Sequence, residues 1–408
     1  MARTKMSTNR PTRPFLAPGL FLLAACGGEP ATPATVRDSA GVTIVENQAP
    51  RQPVYRVLDS TPVLEIGGSG EGHDEFSRIN GLAWLADGGV VVADGALQEL
   101  RIFNADGGWR ATAGRKGGGP GEFEGLGGID ALTDGTLRAF DSQHRRFSTF
   151  SGDGSFMGEM ALEPGGPQYL QLISRLPDGR ALFRAADVFG AGEAQSGITR
   201  RPSIVVLFDS AGVPGDTVGK FPGSEALVQV SGEGRSFTMN VMTLPLGRNT
   251  TMVVAGDRLV VAPSDDYQLQ IHRLDGSLER LIRRPVARRP ITDADLERYL
   301  QDMADRGSRD FVDRMRKPIM EAPRPEAMPA YGKVLVGPDS QLWVGDFTPP
   351  GVNGPERWSV FDVGGQWLGE VEMPARFRPY RITADRVLGV WLDSDDVPFV
   401  RAYRFRER

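Results

Sequence analysis

Apolar residues occur along this chain in short runs broken by turn dipeptides. "INGLAWLA", "VVVAD", "ELRIF" and "WRATAG" fill 79–114, separated by Asp87-Gly88, by a loop after Asp94, and by Asp106-Gly107. Each run is too short for a stable helix and has the length of a strand. Asp-Gly tolerates the positive φ that tight hairpins require. The pattern predicts a four-stranded antiparallel meander.

The meander recurs. A shift of 47 residues lays "GGSGEGHDEF", 67–76, over "GRKGGGPGEF", 114–123, and the match continues without a gap to 107 over 154. Thirteen of these 41 positions are identical. Unrelated pairing gives about two or three, so this is an internal repeat. Looser copies follow: "LQLISRLPDGRALFRAAD" with "SIVVLFDSAG", "TTMVVAGDRLVVAPSDDYQLQIHRLDG", "YGKVLVGPDSQLWVGDF", and "YRITADRVLGVWLDSDD" with "PFVRAYRF". The last lacks a fourth strand, and "PVLEIGG", 62–68, is an orphan outer strand near the other end. Joining the two closes a ring and removes the exposed edges. The expected fold is all-β, a six-bladed β-propeller over 41–408, with "GVTIVEN", 41–47, as a further edge pairing.

Two insertions interrupt the rhythm, 221–249 and 285–330. In the second, Thr292 followed by Asp295 reads as a capping box, and Leu296, Leu300 and Met303 follow helical spacing. Phe311 and Met315 continue the stripe after Gly307, so two short helices are expected there, either plugging one face of the ring or forming a lid over it.

The glycine-loop, Asp-Gly, "VVVAD" and "RIF" order resembles NHL-repeat six-bladed propellers, and most closely bacterial lipoprotein propellers of uncharacterised role. NHL repeats place Asn three and Arg five residues after the strand Asp. Here the first blade has Leu97 and Glu99, and the second has His144 and Arg146.

Charge and the single cysteine refine the picture. The formal net charge is −5, and Arg3, Lys5, Arg10 and Arg13 lie in the first 25 residues, so the remainder is more acidic still. An acidic domain is a poor nucleic-acid binder, and "RLIRRPVARRP", 280–290, reads as a local solvated cluster. Residues 1–25 have the basic start and short apolar run of a signal peptide, with either Met1 or Met6 as the start. "LAAC" resembles a bacterial lipoprotein signal, which implies a lipidated Cys26 and an exported protein anchored through lipid. Gly27 implies the outer membrane by the same resemblance. Residues 26–40 are small, polar and Pro-rich, and read as a flexible tether.

The candidate chemistry is sparse. "GRKGGGPGEF" suggests a phosphate cradle, but Lys116 precedes the glycines and no Ser or Thr follows. Its upstream copy repeats the glycines and the Phe, not the basic pair, so it reads as a hinge between blades. The histidines His73, His144 and His272 do not recur at equivalent positions, and no Ser–His–Asp set is apparent. The expectation is therefore a monomeric, non-catalytic recognition scaffold for a protein, peptide or glycan, more an adaptor than an enzyme, with no cofactor. Its binding face is expected at Arg78, Arg115, Lys116, His144 and Arg145, with Arg248 and Tyr331 joining if the insertion folds over. The alternative is a metal-dependent propeller enzyme of lactonase or lyase type. Asp94, Asp141, Asp187, Asp265 and Asp346, each following a second strand of its blade, would then hold calcium or zinc.

Overall fold

Asp-Gly turns close the hairpins as expected. Gly88 (φ 87°) and Gly107 (φ 91°) take the positive φ. Asp87 and Asp106 accept the amides of Gly89 and Gly108 at 3.0 and 2.9 Å. The structure is a computed structural model that describes residues 1–2, 34–68, 70, 72–165, 167, 169–186, 195–232, 238–307 and 309–406. The expected leader from residue 3 onward, Cys26 and Asp187 lie outside the described residues. Among the described residues no helix is long and apolar enough to cross a membrane.

The described residues form a propeller-like all-β fold with a helical insertion. Six antiparallel meanders begin with the strands Ile79–Trp84, Leu126–Ala131, Leu170–Arg175, Thr250–Ala255, Val334–Val336 and Phe377–Ile382. Each of these inner strands lies beside the next, and the sixth lies beside the first. The last meander takes its outer strand from the other end of the chain: Val400 pairs with Ile66 and Ala402 with Leu64. The fourth is widened to six strands. Val42–Asn47 adds in parallel to Leu278–Arg283, and Ala34–Ser39 pairs outside it. The tether expected over 26–40 is corrected accordingly, because 34–39 is a strand. Asn47, buried, donates to the Gly365 carbonyl at 3.0 Å and accepts the Trp367 amide at 2.8 Å, joining blades four and five.

Among the described residues, six of the seven apolar clusters lie between consecutive blades. Phe123, Ile129 and Leu137 meet Val91, Leu100 and Ile102 between blades one and two. Phe140 and Phe147 meet Phe183 and Phe208 between two and three. Leu182 and Val205 meet Leu259 and Val261. Val260 and Leu269 meet Val344 and Phe361. Trp343 and Trp358 meet Phe377 and Val387. Phe76, Leu82 and Val92 meet Leu64, Leu388 and Val400 between six and one. Because both faces of a blade are buried, Val90–Asp94 is apolar without alternation until its final Asp, and is wholly buried.

Both insertions leave from the same side, since each joins an outer strand to the next inner one. Helices α1 (Asp293–Arg306) and α2 (Arg309–Glu321) pack Leu296, Leu300, Val312, Met315 and Ile319 on Leu227, Leu244 and Leu246 of the earlier insertion. That earlier insertion is a small sheet. Ala226–Ser231 pairs with Thr238–Thr243 and also with Gly197–Thr199, which comes from the third blade's second-to-third strand connection. The expected capping box is present: Asp295 N–H donates to Thr292 Oγ1 at 3.3 Å, and Thr292 N–H donates to Asp295 Oδ2 at 3.0 Å. Arg289 adds two bonds to the same carboxylate, at 2.9 and 3.0 Å.

Arg289, first, and the Thr292 donors hold the Asp295 carboxyl well below the usual carboxylate range. Its stabilising contribution is then complete above the unfolded value near ~4 and is lost as pH falls through the lower folded value. Asp295→Asn is expected to lower the thermal unfolding midpoint at pH 7, with a gap to wild type that narrows below about pH 4. Melting both proteins from pH 7 to pH 2 checks this; a gap independent of pH contradicts it.

Candidate active site

The two glycine loops show how the insertion-bearing side is built. In the second, the Phe123 amide donates to the Arg115 carbonyl at 2.8 Å and the Gly117 amide to the Phe123 carbonyl at 3.0 Å. Arg146, from the adjoining third strand, donates to the carbonyls of Gly119 and Glu122. In the first loop Arg101 does the same for His73 and Glu75, at 2.9 and 2.7 Å. These loops aim carbonyl oxygens at a guanidinium, which is the wrong polarity for holding phosphate. Glu99, where the NHL pattern has Arg, is replaced in this role by Arg101. Two residues along a strand is the same face, so the clamp survives the departure.

Asp141 is the centre of the second blade's corner. Its fully buried carboxylate accepts the amides of Glu124 and Gly125, both at 3.0 Å, and of Gln143 at 2.9 Å and His144 at 3.2 Å. It also lies 2.9 Å from His144 Nδ1. Burial alone raises its pKa, but the imidazole and the backbone donors outweigh burial and the net shift is downward. With Nδ1 engaged, His144 presents Nε2 to Glu124, 3.8 Å from Oε2. The corresponding Asp94 of blade one accepts the Ala96 and Leu97 amides and faces Arg101 at 3.4 Å. The imidazole is what blade two adds.

Glu124 and Ser142 open onto a cleft of about 710 Å³ between the inner strands of blades one to four. Arg78, Asn80, Gln98 and Arg184 also line it. Arg78 donates to the Gly95 carbonyl, Asn80 to the Leu126 carbonyl at 2.6 Å, and Gln98 accepts the Leu126 amide at 2.8 Å. Arg184 reaches only the Thr250 carbonyl, at 3.4 Å, and desolvation lowers its pKa. A half-buried guanidinium with no carboxylate partner among the described residues is a site for an anionic oxygen. Arg184 and Glu124 were not singled out as site residues from the sequence. Arg184 sits inside the apolar run "ALFRAA", and that interruption was the available signal.

The other anticipated residues are more dispersed. Arg115 is held by Glu122 at 2.7 Å, Lys116 is exposed on the glycine loop, and Arg145 donates to the Gly165 carbonyl at 3.2 Å. Arg248 is engaged by Glu225 and, at 3.2 Å, by Asp265. Tyr331, expected on the binding face, is instead 1% exposed and donates to the Pro263 carbonyl at 2.7 Å, so it packs in the core between blades four and five. The histidines are also apart: His73 stacks on Trp109 at 4.1 Å, and His272 is buried against Phe221.

For calcium or zinc the donor set fits poorly. Asp265 is held bidentately by Arg200 at 2.6 and 2.7 Å. Asp346 pairs with Arg284 and Arg357 at 3.2 and 3.1 Å. Among the described residues no group of three or more His, Cys, Asp or Glu is placed to hold a metal ion.

No family model matches the chain, and no curated protein does. Solved structures do. A Bacteroides fragilis protein described as exported is 12% identical, with a TM-score of 0.49 over 89% of this chain and 100% of its own. Virginiamycin B lyase from Staphylococcus aureus is 11% identical, with a TM-score of 0.39 over 83% and 97%. A gluconolactonase from Xanthomonas campestris is 14% identical, with a TM-score of 0.40 over 88% and 99%. The expectation of a non-catalytic scaffold, and of a chain that is not an enzyme, stands against similar structures that include a lyase and a lactonase. At these identities the matches assign no substrate and no residue role to this chain.

The two carboxylates at this corner carry unequal structural loads. Asp141→Ala orphans several buried donors and is expected to cost about 3 kcal/mol or more. Glu124→Gln, at an exposed side chain, is expected to change stability by less than about 0.5 kcal/mol. Urea unfolding of both variants checks the contrast, and equal losses would contradict it.

Proposed function

We propose that the chain is a propeller enzyme of lyase or lactonase type, with its six NHL-like blades closed into one ring. It works at the open side of the mouth on a small acid or glycan. The observation that supports this is the line Asp141–His144–Glu124, which ends in a cleft also lined by Arg78 and Arg184. Ring closure is supported by the cyclic order of inner strands and of interblade clusters.

Both reaction types begin with proton removal beside a group that gains negative charge. Glu124 is the base: its carboxylate faces the cleft, and the imidazole behind it shares the proton's charge. Asp141 is a positioning residue that fixes the imidazole's tautomer, as a buried carboxylate on Nδ1 does. Arg184 and Arg78 hold the carbonyl or carboxylate oxygen where charge develops. Arg184's partial desolvation makes that interaction stronger than in water. In elimination the proton comes from the carbon next to the held group and a β-substituent departs. In lactone opening it comes from water, whose oxygen adds to the carbonyl; the tetrahedral intermediate then breaks the ring C–O bond, and the leaving alkoxide takes the proton back from Glu124. No step is routed through a metal, because the donor set does not fit one. Cys26 carries the lipid in this reading, and the enzyme is exported and anchored, with the outer membrane as its expected location.

The full chain, assayed on gluconolactone by pH-stat and on an acidic disaccharide by ultraviolet absorbance of the elimination product, is expected to turn over one of the two. Glu124→Gln is expected to reduce kcat by about 10²–10⁴-fold. Arg184→Met is expected to act mainly on KM. Full activity in Glu124→Gln, or no turnover of either substrate, counts against the proposal.

A further inference from the structure

A second concave site lies on the other side of the mouth, beneath the helical insertion. It has a volume of about 340 Å³ and is lined by Lys333, Glu356 and Arg378, by Asp302 and Arg306 of α1, and by the loop Thr348–Gly354. Helix α1 forms its roof: Arg298 packs on Gly351, where an added Cβ would meet the Arg298 side chain at 2.8 Å. The roof is tied to blade six through Arg306 and Asp396 at 3.6 Å, and Asp396 is also held by Arg376.

Most charges in this site cancel locally. Arg306 pairs with Asp302 at 3.0 Å, and Arg376 is used by Asp396 and by the Leu392 carbonyl. Lys333 and Arg378 are different. Neither has a carboxylate at ion-pair distance among the described residues, and they act on each other as like charges. Desolvation against the wall of the site, then Arg378, lowers the Lys333 pKa, although both side chains stay exposed at the rim. Glu356 offers partial compensation only: burial raises its pKa in spite of both cations. Two like charges facing one concave space are relieved by a shared anion.

We propose that Lys333 and Arg378 form a binding site for the carboxylate of a hydroxylated monocarboxylic acid, of the sugar-acid class, independent of the Glu124 cleft. The charge count selects a monoanion. Two cations and one carboxylate leave a single positive charge, which suits a carboxylate better than a doubly charged phosphate. The rest of the lining suits hydroxyl groups: Thr348, Asn353 and the backbone of Gly354 offer donors and acceptors, while Pro349 and Pro350 stiffen the rim. The volume is at the lower end of small-molecule sites and matches one sugar ring.

The test is calorimetric titration of the full chain with D-glucuronate, with glucose and inorganic phosphate as parallel ligands. Wild type and Glu124→Gln are expected to bind glucuronate equally, and glucose is expected not to bind. Lys333→Met and Arg378→Gln are each expected to weaken glucuronate at least tenfold, with Arg378→Lys recovering part of the loss. Thermal midpoints within the wild-type range show that each variant is folded. Unchanged affinity in folded Lys333→Met and Arg378→Gln overturns the proposal. So does tighter binding of phosphate than glucuronate with the same dependence on both residues. A loss confined to Arg184→Met moves the ligand to the other cleft and overturns it as well. Because Glu124→Gln is the unaffected control, failure here is distinct from failure of the catalytic reading.

Discussion

Every blade in this fold needs two neighbours. A four-stranded sheet whose both faces are apolar has no solvent-compatible side, so it is stable only between two others. The interblade clusters among the described residues meet that requirement, and one of them draws on Leu64 and Ile66 from far upstream in the chain. The same requirement accounts for the aromatic content of the seams, where Phe140, Phe147, Phe183 and Phe208 form a tilted chain at centroid separations of 4.9–6.1 Å. Large rings fill the widening space between diverging sheets and gain from edge-to-face contact.

With the seams apolar, much of the polar chemistry gathers near the strand ends. There the backbone leaves one strand and enters another, and its unpaired groups need partners. Asp94 and Asp141 meet that need in blades one and two, and arginines from the adjoining strands meet it for the glycine loops. The proposed catalytic set requires two changes to such a corner. His144 stands where the first copy has Leu97 and turns a structural aspartate into the support of an imidazole, and Glu124 stands where the first copy has Ser77. The candidate site is thus a modified joint, which explains why its stability and its chemistry share Asp141.

The repeat made the fold legible because strand, turn and hinge residues recur at a fixed 47-residue spacing, which needs no knowledge of contacts. The capping box at Thr292 and Asp295 was equally visible, since its partners are three residues apart. Non-local features were not. Gly197–Thr199 is three residues long and acquires its meaning as a strand from Ala226–Ser231. Tyr331 reads as a rim aromatic by position, yet its hydroxyl finds the Pro263 carbonyl and the ring turns inward. The strand over 34–39 lies in a polar stretch that resembles a linker, and its pairing to Val42–Asn47 is what orders it. The chemistry was hardest to read, because Glu124 and Arg184 come from different blades and meet only in one cleft, as Lys333 and Arg378 do in the other.

The insertions make the two clefts unequal, and the inequality bears on what each can do. The helices and the small sheet share one apolar cluster, so they are packed as one body. That body reaches blade six through Arg306, beside the exposed Lys333 and Arg378. None of its residues lines the cleft around Glu124 and Arg184. Arg184 is half-buried while Lys333 and Arg378 are exposed, so an anion held at the first cleft is screened less by water than one held at the second.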